Sequence, residues 1–199
     1  MANFIKPTIV LVHGAWHTPP NYARFISALQ SRGFTVHCPH LPSCSNTRPP
    51  TSTYSDDVLV VRNLVQDLTV KGERIIMLMH SYGGAVGTDA VQKHAEFSSA
   101  TNKSSGGVIH LLYLVRSPLS ALQASTVGDA WRRLPVTYVM TTKDYSVPRV
   151  YQDLMLKKVA EEGVRFRLVD VDTAHSVFIS REKEMLELVE SVVQDERKP

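Results

Sequence analysis

The chemistry open to this chain starts at Ser81, in the stretch MLMHSYGGAV (residues 77–86). An apolar run, a histidine, the serine, a tyrosine and two glycines form the pattern of a nucleophile elbow, a sharp strand-to-helix turn that lifts a serine hydroxyl above a sheet. The usual elbow reads G-x-S-x-G, and Met79 stands where the first glycine belongs. Alone, the motif reads equally well as a serine capping a helix. A serine nucleophile needs a base, and the base needs an acid that fixes its tautomer. Asp144 ends the run VTYVMTTKD before the turn residues Ser146, Val147 and Pro148, and His175 follows the run RFRLVDVDTA. Asp170 and Asp172 are nearer to His175 in sequence but lie on or beside the strand that leads into it, poorly placed to reach its ring, and Asp129 falls in a helical pattern. The stretch His13-Gly14-Ala15-Trp16-His17 adds a glycine turn after the first strand candidate. The N–H groups of Ala15 and Tyr82 are the natural pair to meet an oxyanion. Gly14, Trp16 and His80 are placed at the substrate, while His13 and His17 are read as structural partners of the loop.

These residues need a frame that brings chain ends together. Short runs rich in Val, Ile, Leu and Tyr at Thr8–Val12, Phe34–Cys38, Arg74–Met79, Val108–Val115, Val136–Thr141 and Val164–Val171 read as strands. Between and after them lie helical patterns at about 20–32, 54–70, 83–97, 120–133, 148–162 and 177–195. Strands apolar on both faces that alternate with helices predict an α/β fold: a doubly wound, mostly parallel six-stranded sheet flanked by helices, as one domain over 1–199. Ser81, Asp144 and His175 then share the carboxyl rim of the sheet, where such folds bind ligands. Residues 39–53, with four prolines, start on that rim and form a pocket wall; residues 98–107 lie at the opposite end as surface loop.

A net charge of +3 with scattered lysines and arginines argues against a nucleic-acid or anionic-membrane partner. No run approaches the roughly 20 apolar residues of a membrane span. The N-terminal apolar run is short and lacks a cleavage site, so the cytoplasm is the expected location. Cys38 and Cys44, with His37 and His40 nearby, match no zinc spacing and read as free thiols. No metal or organic cofactor is expected.

The segments PTIVLVHGAWHTPPNY, MHSYGGAVG, TTKDYSVP and DTAHSVF, in this order, resemble the α/β-hydrolase superfamily. More narrowly, they resemble its fungal and plant-esterase-like branch, related to salicylate esterases and hydroxynitrile lyases. The resemblance implies Ser81 as nucleophile, His175 as base, Asp144 as acid, and Ala15 and Tyr82 as oxyanion donors. It implies hydrolysis of a small-molecule carboxylic ester, thioester or lactone. Two departures qualify it. Hydroxynitrile lyases of this branch carry a lysine after the histidine, where this chain has Ser176. Family members also insert a helical cap after the fourth strand, where this chain has only 19 residues from Arg116 to Leu134. A capless groove with an apolar rim leads us to expect a homodimer covering the open site. The alternatives are another reaction at the same site, such as C–C cleavage, cyclisation or transfer in secondary metabolism, or a non-catalytic small-molecule-binding protein.

Overall fold

The computed structural model describes residues 5–45, 47–92, 106–116 and 128–196. Six strands form one sheet: β1 Thr8–Val12, β2 Val36–His37, β3 Arg74–Ser81, β4 Gly107–Arg116, β5 Val136–Thr141 and β6 Arg167–Val171. Their order is β2-β1-β3-β4-β5-β6, and every pairing is parallel. The strand order reverses between β1 and β3, so the crevice of a doubly wound sheet opens where the two carboxyl ends part.

Both faces of the central strands are buried, which explains their continuous apolar runs. Val10, Val12, Met77 and Met79 face one layer, with Val58, Val61 and Val65 of α2 (Tyr54–Val70) and Val86 of α3 (Gly83–Ala90). Leu156 of α4 (Arg149–Glu161) joins that core. Ile9, Leu11, Ile76 and Leu78 face the other layer, with Phe25 and Leu29 of α1 (Ala23–Ser31). Phe178 of the one-turn α5 (Val177–Ser180) and the apolar stripe of α6 (Glu182–Asp195) complete it. Each such buried Val, Leu or Ile contributes about 1.5–3 kcal/mol.

Local chemistry sets the helix starts. Thr53 caps α2 with a capping box closed by Asp56, whose pKa is lowered by the Thr53 backbone and hydroxyl donors. Pro19 and Pro20 open a 3-10 turn, Pro19–Tyr22, that leads into α1. The stripe expected over 177–195 is split at Arg181, whose φ of −131° is not helical. The break lets Phe178 stack on Tyr22, with centroids 4.1 Å apart, while α6 packs separately. The two edge strands are shorter than their apolar runs: β2 pairs at only two positions before Pro39, and β6 is largely exposed on its outer side. The helix expected over 83–97 ends at Ala90, after which Val91 is extended; residues 93–97, most of the 98–107 loop and most of the 120–133 helix lie outside the described residues. Ala130–Arg132 is a 3-10 turn with Asp129 at its start, ion-paired to Arg133. No described helix is long and apolar enough to cross a membrane.

Candidate active site

Ser81 ends β3 with φ +52°, a left-handed backbone that strains a residue with a side chain by about 1 kcal/mol or more. The strain is held because β3 pairs on both sides, with β1 and β4. α3 begins two residues later and passes against the carbonyls of Val12 and His13, which a Cβ on Gly83 would strike. Met79 is fully buried toward α3, and the helix yields the space at Gly87: a Cβ there would lie 2.5 Å from the Met79 sulfur. The glycine missing from the strand side of the elbow is thus answered one turn into the helix.

Asp144 follows β5, with its side chain fully buried. Its Oδ1 accepts from the N–H groups of Ser146 and Val147, each at 2.8 Å. Its Oδ2 accepts from Thr141 Oγ1 at 2.9 Å and from His175 Nδ1 at 2.7 Å. Burial raises the Asp144 pKa, but the donors from His175, Val147 and Thr141 together outweigh it, and the carboxyl is held below its ordinary value. With Nδ1 carrying the proton toward Asp144, His175 has Nε2 as its acceptor. Ser81 is 8% exposed, and among the described residues its hydroxyl has no hydrogen-bond partner. The competing acids are committed elsewhere: Asp170 pairs with Arg149 and Asp172 with Lys143, both on the surface.

The turn after β1 brings Ala15 to the elbow. Among the described residues neither the Ala15 N–H nor the Tyr82 N–H has an acceptor. Both residues line one open groove of about 470 Å³, with Trp16, Ser43, Cys44 and Arg48 among its walls. The Pro-rich loop therefore does form one side of it. Trp16, at φ +60°, is 91% exposed on the rim. Two residues placed at the substrate from sequence are elsewhere. Gly14 is buried behind the turn, its N–H donating to Tyr22 Oη. The His80 ring is 1% exposed, because alternation along β3 turns it to the α1 and α6 side. There it meets Tyr22, His175, His17 and Phe178.

His13 and His17 have structural roles. His13 Nδ1 donates to the Gly14 carbonyl, and its Nε2 accepts from the Leu41 N–H. His17 Nδ1 donates to the Ala15 carbonyl. Burial lowers both pKa values, keeping the rings neutral. Cys38 and Cys44 are free thiols, and burial raises the Cys38 pKa to about 12. Among the described residues no three His, Cys, Asp or Glu side chains converge as a metal site would need.

Sequence reasoning missed three supports of the site. Gln152, fully buried in α4, donates to the Thr141 and Val147 carbonyls and accepts from the Thr141 N–H, clamping the turn that carries Asp144. Asp57, fully buried in α2, accepts from the Ser43 N–H and hydroxyl and from the Tyr82 hydroxyl at 2.7 Å, tying the groove wall to the elbow. Tyr22 bridges Gly14 and His80. A polar residue at a core-facing helix position was the available signal for Gln152 and Asp57.

Residues 9–114, more than half of the chain, match the profile of the alpha/beta hydrolase family. The alpha/beta hydrolase nvfD of Aspergillus novofumigatus (strain IBT 16806) is 27% identical over 110 residues, 55% of this chain and 43% of that protein. The chain spans less than half the length of the curated relatives it matches. Among solved structures, a pyrethroid hydrolase from Sphingobium faniae JZ-2 superposes with a TM-score of 0.70 at 16% identity, covering 94% of this chain and 97% of that one. Tomato methylketone synthase I, complexed with 2-tridecanone, does so with a TM-score of 0.70 at 13% identity, covering 98% and 100%. At these identities the superpositions establish the fold.

Proposed function

The chain belongs to the alpha/beta hydrolase family, and from that premise we propose that it cleaves a carboxylic ester, thioester or lactone through an acyl-enzyme on Ser81. The observation that carries this reading is the buried Asp144 carboxylate 2.7 Å from His175 Nδ1, on the same sheet rim as a serine strained into an elbow. Ser81 Oγ attacks the carbonyl carbon as its proton passes to His175 Nε2. The N–H groups of Ala15 and Tyr82 meet the oxyanion. The imidazolium, stabilised by Asp144, returns the proton to the leaving oxygen or sulfur. Water then repeats the sequence on the acyl-enzyme and frees the acid.

Labelling by a fluorophosphonate probe tests this. Native protein should label rapidly, and Ser81→Ala and His175→Ala should not. A well-folded native protein that fails to label would refute the reading. A second reading, non-hydrolytic chemistry at the same residues, is favoured by the likeness to a methylketone synthase. Slow single acylation by p-nitrophenyl esters without turnover would select it. A homodimer covering the groove belongs to this proposal, supported by Trp16 and Tyr145, 91% and 94% exposed. A strict monomer at high micromolar concentration in sedimentation equilibrium would remove it.

A further inference from the structure

Tyr22 and His80 contact no reacting atom in the mechanism above, yet one line of hydrogen bonds runs through them from the oxyanion turn to the base. The Gly14 N–H donates to Tyr22 Oη at 3.0 Å, Tyr22 Oη lies 2.7 Å from His80 Nδ1, and His80 Nε2 lies 3.1 Å from the His175 carbonyl oxygen. We propose that Tyr22 and His80 form a positioning relay that holds the base loop and the oxyanion turn in register with the nucleophile; this rests on the roles given above to Ser81 and His175.

The two ends of the line fix its direction. A backbone N–H only donates and a backbone carbonyl only accepts. His80 Nε2 must therefore carry the ring proton toward His175, which leaves Nδ1 as acceptor for the Tyr22 hydroxyl. That hydroxyl in turn accepts from Gly14. One tautomer and one hydroxyl orientation satisfy every group, and a proton added at Nδ1 would displace the Tyr22 donor. Tyr22 and His80 are each 1% exposed, so water does not replace a lost partner. Burial, the facing His175 and then His17 hold His80 neutral, while the hydrogen bond to the His175 carbonyl and the Asp144 charge oppose them more weakly.

Packing fixes the rings as firmly as the hydrogen bonds do. Phe178 stacks on Tyr22 at 4.1 Å and meets His80 edge-on at 5.1 Å. The His80 and His175 rings have centroids 4.9 Å apart. Gly14 leaves no side chain between the turn and the ring: a Cβ there would lie 2.8 Å from His80 Nδ1. His80 directly precedes Ser81, so one side chain joins the end of β3, the turn after β1 and the loop that carries His175. Acyl transfer needs all three in register, and a misplacement of about 1 Å can cost about 100-fold in rate.

Two variants of the full chain separate positioning from plain scaffolding. Tyr22→Phe keeps the stacking on Phe178 and removes the hydroxyl. His80→Gln keeps an N–H able to reach the His175 carbonyl and removes the Nδ1 acceptor. Both should retain one titratable serine per chain in end-point fluorophosphonate labelling. The labelling rate constant, and kcat on a p-nitrophenyl ester, should fall about tenfold or more, with KM for that ester within about twofold. Rates within twofold of native in both variants, beside a lowered Tm, would overturn the proposal and leave scaffolding. A readout independent of activity is the two-bond 1H–15N spectrum of the native protein. It should show His80 as the Nε2–H tautomer, unchanged from pH 5 to 8. An Nδ1–H tautomer, or titration within that range, would overturn the relay even if Ser81 labels normally. Failure of native protein to label would remove the roles of Ser81 and His175, and the relay with them.

Discussion

Acid should weaken this fold well above the pH at which its carboxylates protonate, and His80 sets much of the amount. Burial, then the facing His175, pushes the His80 pKa from 6.5 to about 3. As pH falls below about 6.5 the unfolded chain takes up a proton at this residue and the native chain does not. The sign follows: the contribution of a neutral buried histidine is whole above its unfolded pKa and is lost progressively down to its folded one. At about 1.4 kcal/mol per pH unit, His80 alone removes about 2 kcal/mol between pH 7.5 and 5. That is a large part of a typical domain stability of about 5–15 kcal/mol. His13 and His17, whose pKa values burial also lowers, act in the same direction. Asp144, held below the ordinary carboxylate range, contributes stability that is lost only beneath about pH 4. Urea unfolding at pH 7.5 and 5.0 measures the difference for native protein and for His80→Gln. The variant should be less stable at pH 7.5, yet lose about 2 kcal/mol less than native between the two pH values. Equal losses in the two proteins would show that His80 is not buried as a neutral ring.

Asp144→Asn keeps an oxygen for the Ser146 and Val147 N–H groups but turns an amide donor toward His175, favouring the tautomer that cannot accept the serine proton. kcat should fall by about 10³–10⁴ with little change in Tm; a loss below tenfold in steady-state assays would take Asp144 out of the mechanism. Asp144→Ala, which leaves those two N–H groups without their acceptor, should cost about 2–4 kcal/mol in urea unfolding, and a cost below 1 kcal/mol would contradict the burial described here. Tyr82→Phe removes the bond that ties Asp57, and through it the Ser43 wall, to the elbow, so it should cost about 1–2 kcal/mol and raise KM more than it lowers kcat; an unchanged KM would show that the wall does not shape the substrate site. Gly87→Ala should destabilise native protein by about 1–3 kcal/mol but should be neutral or stabilising in a Met79→Gly background, where helix propensity is left alone to act. Additivity of the two changes within about 0.5 kcal/mol would refute the contact.

The sequence was most legible where structure is local and periodic. Thr8–Val12 and Val136–Thr141, buried on both faces, begin and end as their apolar runs do. The edge strands do not, because β2 and β6 pair on one side only and their apolar residues continue past the last hydrogen bond. Arg181 breaks a continuous helical stripe for the sake of a tertiary contact, Phe178 on Tyr22, that periodicity does not contain. Asp144 and His175 could be paired from chain order, since strand ends in a parallel sheet gather on one rim. Tyr22 and His80 are 58 residues apart with no spacing rule to join them. Placing His80 at the substrate failed for a simple reason: adjacent residues of a strand point to opposite faces, so the residue before Ser81 turns away from the face that Ser81 presents.

Met79 shows what a sequence motif leaves out. Read as a string, G-x-S-x-G asks for a glycine two residues before the serine, and this chain lacks it. Physically, the demand is for volume where β3 and α3 cross, and either element can leave it empty. Here the strand fills the crossing with a methionine and the helix vacates it at Gly87, while Gly83 preserves the close approach to β1. The elbow is therefore a relation between two packed surfaces, not a property of five consecutive residues. The same holds for the flanking positions: His80 is tied to the His175 loop and, through Tyr22, to the turn after β1, Tyr82 to Asp57 and the groove wall. The residues on either side of Ser81 each hold a different half of the site, so changes at either should act through geometry before they act through stability.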